Sequence, residues 1–313
     1  MGFMSLGRSR RQAGPLERSF VLSPTRQSRT LRADERRLEL GGTETRVLEL
    51  EGEGPPLLLL HGYADSADTW RPLLSELAAT GRGAMAVDLT GFGTASPLEA
   101  GDMLPQWDAL VTDAVAHASE GAGGEDVIIV GNSLGGALSL RAAQRADLPV
   151  GGIVPIAPAG LHMARWFSII ESTQLVRMLR YSPFPVPEGV VRQIVARVYR
   201  ELAFHDRAGA DPGIVDSFVA HIGTIERSMG VLDIGRRLLP ELEDPFELGR
   251  IDCPLLLVWG EHDRMVYTDG AERVLRIVDY SDIEIIPACG HCPQVEVPEL
   301  LAEMLLRFPE PRE

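Results

Sequence analysis

Residues 127–136 read VIIVGNSLGG, an apolar run that leads into a glycine-rich turn around one serine. The apolar residues predict a strand that is buried on both faces, and the residues after Ser133 predict a helix. G-x-S-x-G between a strand and a helix holds a serine on a sharp, strained turn with its hydroxyl exposed. Glycines at positions 131 and 135 remove the Cβ atoms that would clash in such a turn. We therefore predict that Ser133 is a nucleophile.

The same strand-then-helix pattern recurs through most of the chain. Apolar runs that predict buried strands lie at residues 56–60, 84–87, 127–130, 153–156, 255–259 and 283–286. Stretches with helical periodicity lie at residues 70–79, 107–118, 134–145, 271–278 and 298–307. Residues 37–40 and 45–50 alternate like an antiparallel pair around Gly41 and Gly42. This order predicts a doubly wound α/β sheet, in which ligands bind at the carboxyl ends of the strands.

One long stretch, residues 161–250, interrupts this alternation. Its apolar residues recur at three- and four-residue spacings, with several prolines and no clear strand. We interpret it as an all-helical cap, or lid, inserted into an α/β core formed by residues 36–160 and 251–313. Residues 1–35 are rich in Arg, Ser, Gly and Pro and have no sustained period. They predict a flexible arm, and a loose terminus is favoured over an arm that docks on anionic partners.

Composition and charge exclude some classes of partner. The 313 residues carry a net charge of −15, and nucleic acid is therefore not an expected partner. No apolar run approaches the length of a membrane span, about 18 residues, so stable membrane insertion is not expected. Three cysteines are too few for a secreted disulfide framework. Arg10 and Arg11 are not followed by the apolar stretch of an export signal, and we expect a cytoplasmic enzyme.

A serine nucleophile needs a base, and His291 is the strongest candidate among the seven histidines of the chain. It is the histidine that follows the last predicted strand, at residues 283–286. A loop at that strand end can bring an imidazole back over the edge of the sheet to Ser133. Gly290, directly before the histidine, gives the loop the conformational freedom to do so.

The acid that orients the base is expected between Ser133 and His291 in the chain, which is the order of this type of site. Asp263 is preferred because it follows the strand at 255–259, and Glu261 is its rival. The strand end after residue 156 continues as APAG, which contains no carboxylate. The acid would hold the imidazole in the correct tautomer and stabilise the imidazolium.

The oxyanion that forms during acyl transfer needs two hydrogen-bond donors. The backbone N–H of Leu134, at the start of the predicted helix, is one candidate. The second is expected from the loop after the strand at 56–60, where Gly62 allows close approach and Tyr63 supplies the N–H. We interpret His61 as a structural histidine of this loop rather than as the base, and as a candidate pocket residue.

Five ordered motifs resemble those of the α/β-hydrolase superfamily, in its cap-bearing esterase and epoxide-hydrolase-like branch. They are HGY at 61–63, DLTGFG at 88–93, GNSLGG at 131–136, GEHD at 260–263, and GHCP at 290–293 followed by Glu296 and Pro298. The resemblance covers roughly residues 37–308. It implies a mostly parallel eight-stranded sheet with helices on both faces and a helical cap.

The resemblance also implies a reaction class. Haloalkane dehalogenases and epoxide hydrolases of this fold use an Asp nucleophile, whereas this chain has Ser133. We predict a carboxylesterase or lipase-like enzyme that cleaves a small-molecule ester with an apolar part through an acyl-enzyme, without a metal or cofactor. Met163, Trp166 and Phe167 of the cap are candidates for the pocket lining.

Other functions on the same fold stay open. Carbon–carbon bond hydrolases of ring-cleavage products often share Gly-Asn-Ser, but usually carry an aromatic residue after the catalytic His, where this chain has Cys292. Their substrate carboxylate could bind arginines of the cap, although the helical spacing is more typical of a solvated surface; these are Arg177, Arg180, Arg192 and Arg197. Thioesterase, perhydrolase and acyl-transfer chemistry use the same residues. A non-catalytic ligand-binding member would usually have a broken triad.

Cys289 and Cys292 form a C-x-x-C around His291. Two small residues that pack beside the base are the favoured interpretation. A metal site is not expected, because one tetrapeptide offers too few ligands. A sharper hypothesis is that oxidation joins the two cysteines across His291 and disables it.

Overall fold

A mostly parallel sheet of eight strands runs through the part of the chain that the structure describes. The computed structural model describes residues 33–172, 176 and 186–308, and the side chains of residues 166, 171 and 172 lie outside that description. The strands are β1 Asp34–Leu40, β2 Thr43–Leu50, β3 Glu53–Leu60, β4 Arg82–Val87, β5 Val127–Asn132, β6 Val150–Ile156, β7 Leu255–Gly260 and β8 Ser281–Ile286.

The order of the strands across the sheet is β1-β2-β4-β3-β5-β6-β7-β8. β2 pairs antiparallel with both β1 and β4, and the remaining pairs are parallel. β1 and β2 join through Gly41 and Gly42, whose φ values of 57° and 74° produce the tight turn that glycine favours. The predicted α/β-hydrolase fold is therefore confirmed.

Helices cover the sheet on both faces and also form an insertion between β6 and β7. The helices against the sheet are α1 Arg71–Thr80, α2 Leu104–Gly121, α3 Leu134–Ala142, α8 Ala271–Ile277, α9 Pro293–Glu296 and α10 Pro298–Arg307. The insertion contains α4 Trp166–Ser172, α5 Glu188–Ala203, α6 Pro212–Ile222 and α7 Ile225–Glu241. Among the described helices, none combines the length and apolar character needed to cross a bilayer.

The central strands are apolar along most of their length because both faces of the sheet are covered there. Leu57 and Leu59 of β3 pack in the cluster that contains α1 and α10. Leu58 and Leu60 pack in the opposite cluster, with α2 and α3. Successive side chains of a strand point to opposite faces of the sheet. A strand in the middle of a sheet that is covered on both faces therefore needs apolar residues at the odd and the even positions alike.

Polar contacts join the helical insertion to the core at several places, and two of these involve Glu241 and Ser217. The Glu241 carboxylate at the end of α7 accepts the backbone N–H groups of Met103 at 3.0 Å and Leu104 at 2.8 Å. This contact explains why α2 begins at Leu104, before the predicted start at residue 107, because helix-terminal N–H groups need an acceptor. At the other place, the Ser217 hydroxyl of α6 donates to Asp68 at 2.8 Å.

Gly135→Ala tests the backbone packing of the turn around Ser133. A Cβ at this position would lie 2.1 Å from the Leu60 carbonyl oxygen, which belongs to the sheet and cannot move away. We expect the free energy of unfolding to fall by about 3 kcal/mol, the upper end of typical overpacking costs, in chemical denaturation. The control is Gly230→Ala in α7, where a Cβ meets no atom within 4 Å. It should be neutral or stabilise by up to about 1 kcal/mol, and equal losses in the two variants would contradict this account.

Candidate active site

Ser133 lies between β5 and α3 in strained backbone geometry. Its φ of 54° and ψ of −109° lie in a region that costs an L residue about 1–3 kcal/mol. Two hydrogen bonds to the end of β6 hold it there: its N–H donates to the Ile156 carbonyl at 2.8 Å, and its carbonyl accepts from Ala159 at 3.0 Å. A Cβ at Gly131 would lie 2.1 Å from the Gly135 carbonyl oxygen, so the turn requires glycine there.

His291 and Asp263 form a buried pair. The Nδ1 of His291 lies 2.6 Å from Oδ2 of Asp263, and the two side chains are 4% and 1% exposed. The other carboxylate oxygen of Asp263 accepts the backbone N–H groups of Met265 and Val266 at 2.7 and 3.0 Å. Since the carboxylate accepts at Nδ1, the imidazole presents Nε2 to the rest of the site. This Nε2 is buried and has no hydrogen-bond partner among the described residues.

The structure distinguishes the two acid candidates. The Glu261 side chain is 55% exposed and lies beside His262, whereas Asp263 contacts His291. The turn that carries Asp263 packs directly on the turn that carries His291. A Cβ at Gly260 would lie 1.9 Å from the Gly290 carbonyl oxygen. This close backbone approach brings the aspartate to the imidazole.

Two side chains and one backbone carbonyl fix the loop of His291. The Asn132 amide donates to the His291 carbonyl at 2.9 Å, which ties this loop to the turn of Ser133. The Glu296 carboxylate accepts the backbone N–H groups of Gly290 at 2.7 Å and His205 at 2.8 Å. The backbone N–H of His291 donates to the Ala203 carbonyl at the end of α5. The contacts of Asn132 and Glu296 were not predicted, because they join segments that are far apart in the chain.

The loop after β3 lies close to the turn of Ser133. A Cβ at Gly62 would lie 3.3 Å from the Asn132 Oδ1 and 3.4 Å from the Ser133 Cβ, so the Asn132 side chain would have to shift slightly to admit it. The Tyr63 hydroxyl donates to the Val231 carbonyl of α7, so this residue connects the loop to the helical insertion. The Leu134 N–H is the first of α3, where N–H groups lack an acceptor within the helix.

Two cavities meet at Ser133. The larger has a volume of about 280 Å³ and is lined by Ser133, His291 and mostly apolar side chains of the insertion, among them Val195, Tyr199 and Phe218. The smaller has a volume of about 30 Å³ and lies on the Leu134 side, with Met163 and Leu238 in its wall.

The predicted pocket residues divide between these cavities. Phe167 lines both cavities, and Met163 lines the smaller one. Trp166 begins α4, but its side chain lies outside the described part of the chain. Of the four cap arginines considered for carboxylate binding, Arg177 and Arg180 also lie outside it, and Arg192 and Arg197 line neither cavity.

A sequence profile of the alpha/beta hydrolase family matches residues 57–304, which extend from β3 into α10. The match therefore includes the turn of Ser133 and the loops of Asp263 and His291. The chain belongs to the alpha/beta hydrolase family.

Relatives of this α/β hydrolase act on different substrates. It is 30% identical to the 2-hydroxy-6-oxo-6-(2'-aminophenyl)hexa-2,4-dienoic acid hydrolase of Metapseudomonas resinovorans, over 88% of this chain and 90% of the relative. It is 26% identical to the pimeloyl-[acyl-carrier protein] methyl ester esterase of Nitrosomonas europaea, over 80% and 94% of the two chains. A solved serine hydrolase involved in carbazole degradation has a TM-score of 0.68 at 25% identity, over 88% of this chain and 98% of the other.

His61 lies beneath the loop after β3 and lines neither cavity of this α/β hydrolase. Its Nδ1 donates to the Gly62 carbonyl at 2.7 Å, and its Nε2 accepts from the Leu89 N–H at 2.8 Å. Burial lowers the pKa of this histidine to about 4, in keeping with a neutral ring whose two nitrogens are both engaged. The prediction that His61 lines the pocket is therefore corrected, since its contacts shape the loop.

The cysteines beside His291 are free thiols that pack in different parts of the core. Cys289 belongs to the apolar cluster on the α1 and α10 face of the sheet, and Cys292 to the cluster under the insertion. Burial raises the pKa of both thiols above the usual range. Because the thiolate is the reactive form, both cysteines are poor targets for oxidants at neutral pH.

Asp65, which sequence reasoning missed, lies in the wall of the larger cavity. Its side chain accepts the Ser66 N–H at 2.8 Å, and the residue is 6% exposed. Burial raises the pKa of the Asp65 carboxyl to about 7, with Asp68 raising it further and the Ser66 hydrogen bond and His221 lowering it. A carboxyl with a strongly perturbed pKa in a cleft is a frequent mark of a functional site.

Asp65→Asn should change how stability depends on pH. The folded pKa of about 7 lies above the ordinary value of 3.8, so the folded state binds more protons and loses stability as the pH rises between these values. An asparagine does not titrate. We expect the free energy of unfolding of the Asp65→Asn variant, relative to wild type, to rise by about 3 kcal/mol from pH 5 to pH 8. Chemical denaturation at the two pH values measures it. Asp216→Asn, at an exposed site on α6, is the control. A pH-independent difference for Asp65→Asn would contradict the prediction.

Proposed function

We propose that this α/β hydrolase cleaves carboxylic esters, with Ser133 as nucleophile, His291 as base and Asp263 as the acid that orients it. One observation carries the proposal. The imidazole of His291 is held at Nδ1 by a buried carboxylate, and it shares a cavity with a serine on a strained turn. A base whose free nitrogen is desolvated and oriented in this way is the arrangement that activates a serine hydroxyl.

The reaction proceeds in two steps. His291 Nε2 takes the hydroxyl proton as Ser133 Oγ attacks the ester carbonyl, and the backbone N–H groups of Tyr63 and Leu134 donate to the oxyanion. The proton passes from His291 to the leaving alkoxide, the carbon–oxygen bond breaks, and the acyl group stays on Ser133. Water then attacks the acyl-enzyme with His291 as base, which releases the acid and restores the serine. The proposed steps use neither a metal nor a cofactor.

The two cavities suggest which part of the ester binds where. The leaving alkoxide must lie close to His291, which lines the larger cavity and not the smaller one. The alcohol part therefore occupies the larger cavity under the insertion α4–α7, which acts as the cap. The acyl group occupies the smaller cavity, whose volume of about 30 Å³ suits an acetyl-sized group. We propose short-chain acyl esters of larger, mostly apolar alcohols as the substrate class.

Carbon–carbon hydrolysis of a ring-cleavage product is the second candidate, favoured by the similarity to a dienoic acid hydrolase. Such a substrate carries a carboxylate, which needs a cationic partner when it is buried. Among the described residues that line the larger cavity, His291 is the only basic one. An ionised Asp65 in the same wall would repel the carboxylate. These charges favour an uncharged ester.

Substitution of the three proposed residues tests the mechanism. Ser133→Ala should abolish the hydrolysis of p-nitrophenyl acetate and the labelling by a fluorophosphonate probe. Asp263→Asn should lower kcat by about 10⁴-fold, because the wrong tautomer of His291 is then favoured. The matched control is Glu261→Gln, the rival acid, which should change kcat less than about threefold given its exposed side chain. Attachment of the probe to the Ser133→Ala variant would contradict the proposed nucleophile.

Two ester series test the assignment of the cavities. Alkyl acetates from ethyl to octyl should show kcat/KM rising with chain length, because each CH₂ that enters the larger cavity adds up to about 0.8 kcal/mol of apolar burial. p-Nitrophenyl esters from acetate to octanoate should show kcat/KM falling beyond the shortest acyl groups. If kcat/KM instead falls with the length of the alkyl group and rises with the length of the acyl group, the acyl part would occupy the larger cavity and the alcohol part the smaller one. Turnover of a dienoic ring-cleavage product without turnover of any ester would favour the second candidate.

A further inference from the structure

The phenol of Tyr199 is a buried polar group in an otherwise apolar wall. The residue is 8% exposed and lines the larger cavity. Its ring stacks on Phe218 with centroids 3.7 Å apart and an interplanar angle of 3°, and it packs edge-on against Phe204 at 5.1 Å. These contacts fix the direction of the hydroxyl. Its oxygen is buried and makes no hydrogen bond of regular geometry to the described residues, although the side chains of Thr69 and Asp65 lie close enough to influence the pKa of the phenol.

Asp65 is the titratable group beside this phenol. It lies in the loop after β3, shortly after Tyr63, and lines the same cavity. Burial raises the pKa of the Tyr199 phenol, the carboxyl of Asp65 and the thiol of Cys292 raise it further, and Thr69 lowers it. One oxygen of Asp65 accepts the Ser66 N–H. The core and the insertion thus each contribute one polar group to a single point of the cavity.

A buried polar group without a partner, such as the Tyr199 hydroxyl, costs about 1–3 kcal/mol, and a polar group of this kind in a ligand pocket commonly fixes the orientation of a ligand. We propose that Asp65 and Tyr199 form a subsite that binds a hydroxyl group on the alcohol part of the ester. This inference rests on the proposed function, in which the larger cavity holds the alcohol. It narrows the substrate class to monoesters of apolar diols, whose hydrolysis releases the acid and the diol.

A hydroxyl suits this pair better than a charged group. It can donate to the Asp65 carboxylate and accept from the Tyr199 phenol at the same time. A ligand carboxylate would meet the like charge of Asp65. A ligand ammonium has only donors, so it would leave the Tyr199 O–H without an acceptor, and it would lose its hydration in a mostly apolar wall.

Matched esters measure the subsite directly. The probes are the monoacetates of 1,4-butanediol to 1,8-octanediol, each compared with the alkyl acetate in which a methyl group replaces the terminal hydroxyl. The readout is the ratio of kcat/KM for the diol ester to that for the alkyl ester. We expect Tyr199→Phe to lower this ratio by about 3- to 10-fold at one or two chain lengths, the range of one hydrogen bond. Asp65→Asn should lower it at the same chain lengths.

The control is Tyr267→Phe, a tyrosine that is 47% exposed and lines neither cavity. It should leave the ratio within experimental error at every chain length. The subsite would be overturned if Tyr199→Phe and Asp65→Asn change this ratio no more than the control Tyr267→Phe does. Hydrolysis of plain alkyl acetates in that case would leave the proposed function intact.

Binding to the Ser133→Ala variant provides a readout that does not depend on turnover. Calorimetric Kd values for each diol monoacetate and its alkyl partner should show the same chain-length preference as the kinetic ratio. Adding Tyr199→Phe should weaken binding of the preferred diol ester by about 3- to 10-fold more than binding of its partner. Equal weakening, or no binding of either ester, overturns the subsite. If the diol esters still bind more tightly than their alkyl partners at the same chain lengths but wild type hydrolyses none of them, ester hydrolysis is rejected and the subsite is supported.

Discussion

Close backbone packing around the turn of Ser133 is the constraint on which the site depends. The turn holds a non-glycine residue at positive φ, and it can do so because Gly131 and Gly135 let backbone atoms approach where a Cβ would not fit. The N–H of Gly135 donates to the His61 carbonyl at 3.1 Å, so the same contact positions the loop after β3. Strain of this kind persists only where the surroundings over-determine the conformation.

A similar backbone contact positions His291 and Asp263, the proposed base and acid. The turns after β7 and β8 touch at Gly260 and Gly290, and the His262 N–H donates to the Cys289 carbonyl at 2.9 Å. Asn132 then connects this pair of turns to the turn of Ser133 through the His291 carbonyl. The relative position of the three residues therefore depends on backbone packing together with the buried side chains of Asn132 and Glu296.

The fold and the core of the site could be predicted because their signals are local. A buried strand followed by glycine and a polar residue marks Ser133, and similar strand ends mark Asp263 and His291. Asp65 and Tyr199 could not be predicted in this way, because α5 and the loop after β3 are brought together only by the packing of the insertion. His61 also shows the limit of local patterns. Its position in the loop suggested a pocket residue, whereas hydrogen bonds to Gly62 and Leu89 turn its ring into the core.

The division between core and insertion separates chemistry from recognition. Every residue proposed for bond cleavage comes from the α/β core, whereas most of the apolar wall of the larger cavity comes from the insertion. The insertion is held to the core by contacts such as those of Ser217 and Glu241, away from the reacting atoms. Changes on the cavity side of α5 and α6 can therefore alter the cavity with little effect on the pair of His291 and Asp263, except at the end of α5, where the Ala203 carbonyl accepts the N–H of His291. Asp65 is a second exception, because a core residue next to the proposed oxyanion loop takes part in the wall, and this position would couple the proposed recognition of the alcohol to the geometry around Tyr63.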